Sequence, residues 1–100
     1  MRTYTTSADM STAAAISAAP TAGQKVVADD IIIFSDTAMS FTIQEETSET
    51  VFAKVFLAAN GSAQITLRDG LKTAVADKKF FGKASTSGNV TVTLCSHSEP

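Results

Sequence analysis

The chain has 100 residues, 10 acidic and 8 basic, for a formal net charge of −2, and its one cysteine is Cys95. That length suits a single domain, the scattered charge gives no basic footprint for nucleic acid, and a lone cysteine closes no disulfide within the chain, which suits folding in a reducing cytoplasm. No run of about 18 apolar residues offers a membrane-spanning helix, and the nearest imitation of a secretion signal, Ala13-Ala-Ala-Ile-Ser-Ala-Ala-Pro20, lacks Leu, Val and Phe.

The hydrophobic fraction of 44% is inflated by alanine. The core must therefore come from about a dozen Val, Ile, Leu, Phe and Met side chains, and at this size oligomerisation is a common supplement.

Residues 1–23 are rich in Thr, Ser and Ala and keep neither a helical nor an alternating period; Tyr4, Met10 and Ile16 are their large apolar groups. A flexible tail and an extended arm both fit that composition. The arm reading places the segment on a neighbouring subunit, anchored by Tyr4, Met10 and Ile16, with Pro20 and Gly23 marking the boundary to a β-sandwich domain over residues 24–98.

Lys25-Val-Val27 then predicts a short strand, Asp29-Asp30 a turn, and Ile31-Ile-Ile-Phe34 a strand buried on both faces. After a turn at Ser35-Asp36-Thr37, the run Met39-Ser-Phe-Thr-Ile-Gln-Glu45 alternates strictly. That pattern turns Met39, Phe41 and Ile43 inward and Ser40, Thr42 and Gln44 to water. Residues 46–50 read as a polar loop.

The strongest local signal lies between Val51 and Leu67. Asn60-Gly61 tolerates positive φ and separates two apolar runs, which predicts a hairpin of strands 51–58 and 62–67. Val51, Val55 and Leu57 share one face of the first strand, and Phe52, Lys54 and Phe56 share the other. With both faces apolar, Phe52 and Phe56 need a second cover, either the domain's other sheet or a neighbouring subunit. The partner strand turns Ala63, Ile65 and Leu67 inward. Asp69-Gly70 is a further turn signal, after which Leu71 is expected to plug one end of the core.

Residues 72–79 fit a loop, an edge strand or one helical turn. Lys79-Phe-Phe-Gly-Lys-Ala84 predicts a strand with Gly82 as a bulge. Ser85–Asn89 is a turn, Val90-Thr-Val-Thr-Leu-Cys95 a strand with Val90, Val92 and Leu94 inward, and His97–Pro100 a polar tail. Seven or eight short strands separated by Gly, Asn and Asp turns imply an all-β fold, a small antiparallel β-sandwich of jelly-roll type carrying the N-terminal extended arm.

Chemistry-bearing patterns are sparse. Cys95 and His97 would supply two ligands where a structural zinc site needs four, and a single histidine in a tail gives no nucleophilic triad. Asp29-Asp30 and Glu45-Glu46 are adjacent carboxylates, which point to opposite faces of a strand and read as solvated turn and loop residues. Asn60-Gly-Ser62 and Asn89-Val-Thr91 match the glycosylation sequon but read as turn chemistry. The five glycines lie singly, so there is no phosphate loop. We therefore expect no enzyme, no cofactor and no metal.

The portion from Val51 to Leu94 resembles small capsid decoration, or cement, proteins of tailed bacteriophages. The resemblance rests on the apolar strand leading through Asn60-Gly61 to a second strand, on Gly70-Leu71, and on Thr86-Ser-Gly-Asn-Val-Thr-Val-Thr93. It implies a structural virion protein, made in the host cytoplasm and located on the capsid surface. Such a protein binds the outside of the major capsid protein shell as a homo-oligomer, with a trimer favoured, and uses neither nucleic acid nor a membrane. Tyr4, Met10, Ile16, Phe52 and Phe56 are the candidate partner-binding residues. The alternative is a carbohydrate- or receptor-binding β-sandwich module of a phage tail fibre or adhesin, which needs an exposed groove with aromatic side chains.

Overall fold

The computed structural model describes residues 2–46 and 51–100, and among them the regular elements are strands throughout: β1 (Arg2–Asp9), β2 (Ala14–Ala15), β3 (Lys25–Ser35), β4 (Met39–Glu45), β5 (Val51–Leu57), β6 (Gly61–Lys72), β7 (Phe80–Ala84) and β8 (Asn89–Glu99). β1 pairs with β8, β2 with β7, β3 with β6 and β4 with β5, all antiparallel. The chain is thus one long ribbon folded back on itself. It rolls up until β8 also pairs with β3 and β7 with β4. The resulting orders, β1-β8-β3-β6 in one sheet and β2-β7-β4-β5 in the other, are those of a jelly roll.

Period-two alternation builds the core between the sheets. Ile31 and Ile33 from β3, Phe41 and Ile43 from β4, and Val90, Val92 and Leu94 from β8 are fully buried, with Ala63, Ile65 and Leu67 packed against them as expected. Each such large side chain contributes about 1.5–3 kcal/mol by leaving water. Leu71, partly buried, packs against this cluster.

The Asn60-Gly61 turn forms, with Asn60 at φ 56° and the Gly61 N–H donating to Ala58 O at 2.9 Å. It does not close a hairpin. β5 and β6 are hydrogen-bonded into different sheets, β5 beside β4 and β6 beside β3, so the turn carries the chain across the sandwich. A turn signal fixes the reversal but not the pairing edge, and here each strand pairs with its ribbon partner instead.

Two other predicted turns are irregularities inside strands. β3 runs unbroken past Asp29-Asp30 with a register shift between Ala28 and Asp30. Opposite it, β6 continues past residue 69 through Gly70, at φ 76°, to Lys72. Ile31–Phe34 alternates instead of being buried on both faces: Ile32 and Phe34 are exposed on the outer face. At the start of β5 the register shifts again, since Ile43 pairs with Ala53 and Gln44 with Val51, leaving Phe52 as an extra residue. Val51 is therefore exposed, Gln44 is buried rather than solvated, and Phe52 packs edge-on against Phe80 at 5.3 Å between centroids.

Gly82 is not a bulge; it keeps regular register with both Ala14 and Ile43. Residues 73–79 form a loop, gripped by the adjacent carboxylates expected to be solvated. Glu45 is buried and its Oε1 accepts the Val75 N–H at 3.0 Å, while Glu46 Oε1 accepts the Lys79 N–H at 3.0 Å. Of the polar loop expected over residues 46–50, residues 47–50 lie outside the described residues.

Residues 2–23 supply two strands, β1 and β2, joined and followed by bends and a turn, and these strands lie within the sandwich. β1 completes one sheet edge through eight register partners on β8, and β2 lies at the edge of the other sheet. Between and after them, the Ala84 N–H donates to Met10 O at 2.7 Å and the Ile16 N–H to Phe80 O at 2.9 Å. Met10 and Ile16 are fully buried in the core. The physical reason is the edge itself: without β1 the unpaired backbone of β8 would lie open.

Candidate interaction site

The alternation that sends Phe41 and Ile43 into the core turns Ser40 and Thr42 outward, and their register partners follow. On β5, Phe56 lies beside Ser40 and Lys54 beside Thr42; on β7, Lys83 lies on the other side of Thr42. Lys54, Thr42 and Lys83 thus form one row across three strands, and the strand spacing puts the two lysine backbones about 10 Å apart. Ser40, Thr42, Lys54, Lys83, Ala84 and Ser85 line a shallow depression of about 180 Å³. Phe56 stands at its margin, 80% exposed, with Lys54 Nζ 5.7 Å from its ring centroid.

The hydrogen bonding of the depression is partly closed. Thr42 Oγ1 donates to Lys83 O at 3.1 Å, and the Ser40 N–H donates to Ser85 Oγ at 3.0 Å, where the Ser85 oxygen is the acceptor. Among the described residues neither Lys54 nor Lys83 has a carboxylate partner.

The outer face of the other sheet is hydroxyl-rich. Ser7 pairs with Thr91 at 2.9 Å and Thr5 with Thr93 at 3.2 Å between oxygens, and Thr66 Oγ1 donates to Asp30 Oδ1 at 3.0 Å. Ile32 and Phe34 lie in the middle of these rows, and Cys95, a free thiol, is half-buried beside Thr3.

His97 is not in a tail. β8 extends through Glu99, which places His97 opposite Val27, and the β3 irregularity presents Asp29 to it. Its Nδ1 is 2.7 Å from Asp29 Oδ2 and its Nε2 2.5 Å from Glu99 Oε2; Lys72 Nζ lies 3.4 Å from Glu99 Oε1. The hydrogen bonds that the ring donates to Glu99 and then Asp29 hold the imidazole pKa above its ordinary value, against a smaller opposing effect of burial. Both ring nitrogens are engaged, so the ring clasps Asp29 of β3 to Glu99 of β8. No group of three or more His, Cys, Asp or Glu that could hold a metal ion is present among the described residues, and no helix there is long and apolar enough to cross a membrane.

The five candidate partner-binding residues separate. Met10 and Ile16 are core. Tyr4 is half-buried at the sheet edge, in the inward row with Leu94. Phe52 is covered by its own chain through Phe80, and Phe56 alone stands free on a sheet face. The basic row beside Phe56 escaped sequence reading because Lys54 and Lys83 lie far apart in the chain and meet only through the register of β4. Comparison with protein-family models, with curated proteins and with solved structures gives no match.

Proposed function

We propose that the protein is a structural virion protein, a decoration or cement protein that binds the outer surface of a major capsid shell and stabilises it, as a homo-oligomer with a trimer favoured. The observation that carries this reading is Phe56, a large aromatic side chain 80% exposed on a regular sheet face that nothing in the described chain covers. Covering such a ring is worth about 1.5–3 kcal/mol, and Val51 at the other end of the same strand, 55% exposed, adds apolar area for a partner to cover. The texture of residues 51–94 supplies the resemblance to decoration proteins. The mechanism is passive: a protein that binds only the assembled lattice adds its binding free energy to the assembled state, and many copies act together. With Met10 and Ile16 in the core, the contact falls to the sheet faces rather than to an N-terminal arm.

The test is to purify particles from the cell that encodes the chain and image them by cryo-electron microscopy. The expected result is density for the jelly roll in many copies outside an icosahedral shell, and shells that open at lower temperature when the gene is deleted. Shells that lack the chain overturn the reading. The shallow depression beside the Phe56 ring, with its serine and threonine hydroxyls, favours one second reading, a carbohydrate- or receptor-binding module of a tail fibre or adhesin. Particles carrying the chain in a discrete fibre would select it.

A further inference from the structure

We infer that the depression between Lys54 and Lys83 is the docking site for an acidic side chain of a protein partner, its carboxylate seated over Thr42 and its aliphatic stem laid against Phe56. This deepens the proposed function and rests on it for the identity of the partner, since the acidic side chain would then belong to the shell.

Charge is the first ground. The chain as a whole is acidic, with a net charge of −2, yet Lys54 and Lys83 flank one threonine with no carboxylate partner among the described residues. Two lysine side chains lining one depression favour an anion placed between them, and the Ser85 hydroxyl can donate to it. Size is the second ground. At about 180 Å³ and open to solvent, the depression is smaller than the several-hundred-Å³ pockets that enclose free small ligands, and it suits one projecting side chain. Composition is the third. An apolar ring beside two point charges matches a carboxylate on a short aliphatic stem, whose methylenes can cover the ring while its oxygens meet the charges.

A second copy of this chain carries related chemistry, since Asp30 lies near Ile32 and Phe34 on the opposite outer face. That carboxylate, however, is half-buried and already accepts from Thr66 Oγ1 at 3.0 Å, so it does not project as a side chain able to enter the depression. A foreign acidic surface is therefore the occupant.

The experiment is a titration of the intact ¹⁵N-labelled protein with poly-L-glutamate at fixed ionic strength, followed by amide shifts, with inorganic phosphate as a parallel arm. Shifts are expected at Ser40, Thr42, Lys54, Phe56, Lys83 and Ser85. Lys54→Gln with Lys83→Gln should weaken binding about tenfold, in keeping with two exposed charge contacts, and Phe56→Ala about threefold; all three side chains are outward-facing, so the fold is kept. Shifts elsewhere, an unchanged affinity in the double variant, or tighter binding of phosphate at the same residues overturns the inference. So does self-association that the double variant abolishes, which would assign the depression to a second copy. These outcomes are read on the isolated protein, so they stand or fall separately from its presence on shells.

Discussion

Gly82 faces the edge of the Phe41 ring so closely that an added β-carbon would overlap Phe41 Cζ and come within 3.0 Å of Ile16 Cγ2. The glycine is there for space. β7 lies between β2 and β4, and the one missing side chain lets a ring from β4 and an isoleucine from the N-terminal segment meet beneath it. Gly82→Ala should cost about 1–3 kcal/mol through overpacking, lowering the melting temperature by roughly 5–20 °C for a domain of this size. Thermal unfolding followed by circular dichroism measures this. Adding Phe41→Leu, which withdraws the ring, should return part of the loss in a double-mutant cycle. A Gly82→Ala protein as stable as the parent would mean that the strand yields more easily than the packing implies.

The N-terminal segment gives a second prediction. Ile16→Ala and Met10→Ala each remove a fully buried side chain and should cost about 2–5 kcal/mol. Deleting residues 1–23 removes β1 and β2, exposes the backbone of β8, and should abolish cooperative unfolding. Urea denaturation and the dispersion of amide resonances give the readout. A truncated chain that keeps the parent's unfolding midpoint would show that the segment adds nothing to the sandwich.

The end of β4 holds the loop of residues 73–79 with two consecutive carboxylates. Glu45→Ala takes a buried acceptor from the Val75 N–H and should cost about 1.5–3 kcal/mol, the range for hydrogen bonds to charged groups. Glu46→Ala should act on Lys79, which both donates its N–H to Glu46 Oε1 and accepts the Glu46 N–H at 3.0 Å. Amide hydrogen exchange should speed up at Val75 in the first variant and at Lys79 in the second, while β8 stays protected. Acceleration spread evenly over the chain would instead point to global destabilisation.

Much of the fold was legible because alternation is a local property. Met39, Phe41 and Ile43, and Val90, Val92 and Leu94, each announce one buried face, and seven or eight short strand-like runs separated by turns leave few architectures other than a sandwich or barrel. The departures share a cause: register is set between strands. Nothing within Val51–Leu57 shows that Phe52 is an extra residue against β4, so the face of Val51 could not be read. Nothing in Asp29-Asp30 distinguishes a turn from a strand irregularity until β8 and β6 lie on either side. The threonine-rich residues 2–9 carry too little apolar area to declare themselves a strand, yet an edge strand with an outward hydroxyl face needs no more. The interaction site follows the same rule. Phe56 was visible in the sequence, whereas the Lys54–Thr42–Lys83 row exists only once three strands are aligned.

The clasp around His97 sets a pH dependence whose sign can be worked out. Hydrogen bonding to Glu99 and then Asp29 raises the His97 pKa above the ordinary 6.5. Its stabilising contribution is therefore fully present below about pH 6.5 and is lost as pH rises through the higher folded value. For Glu99, the hydrogen bond from His97, then that from Lys72, lowers the pKa below the ordinary 4.5. That contribution is present above about pH 4.5 and is lost as pH falls through the lower folded value. Both are complete between roughly pH 4.5 and 6.5, so the clasp should be tightest there and should weaken toward alkaline pH. The effect will be modest, because the His97 side chain is 37% exposed and Glu99 more so, and screening by salt should shrink it further. Urea midpoints across this range should fall from pH 6 to pH 9 in the parent and stay flatter in His97→Gln. The His97 ring protons should titrate above 6.5 in the parent and move back toward it in Asp29→Asn. A ring that titrates at or below 6.5 would show that neither carboxylate holds it in solution.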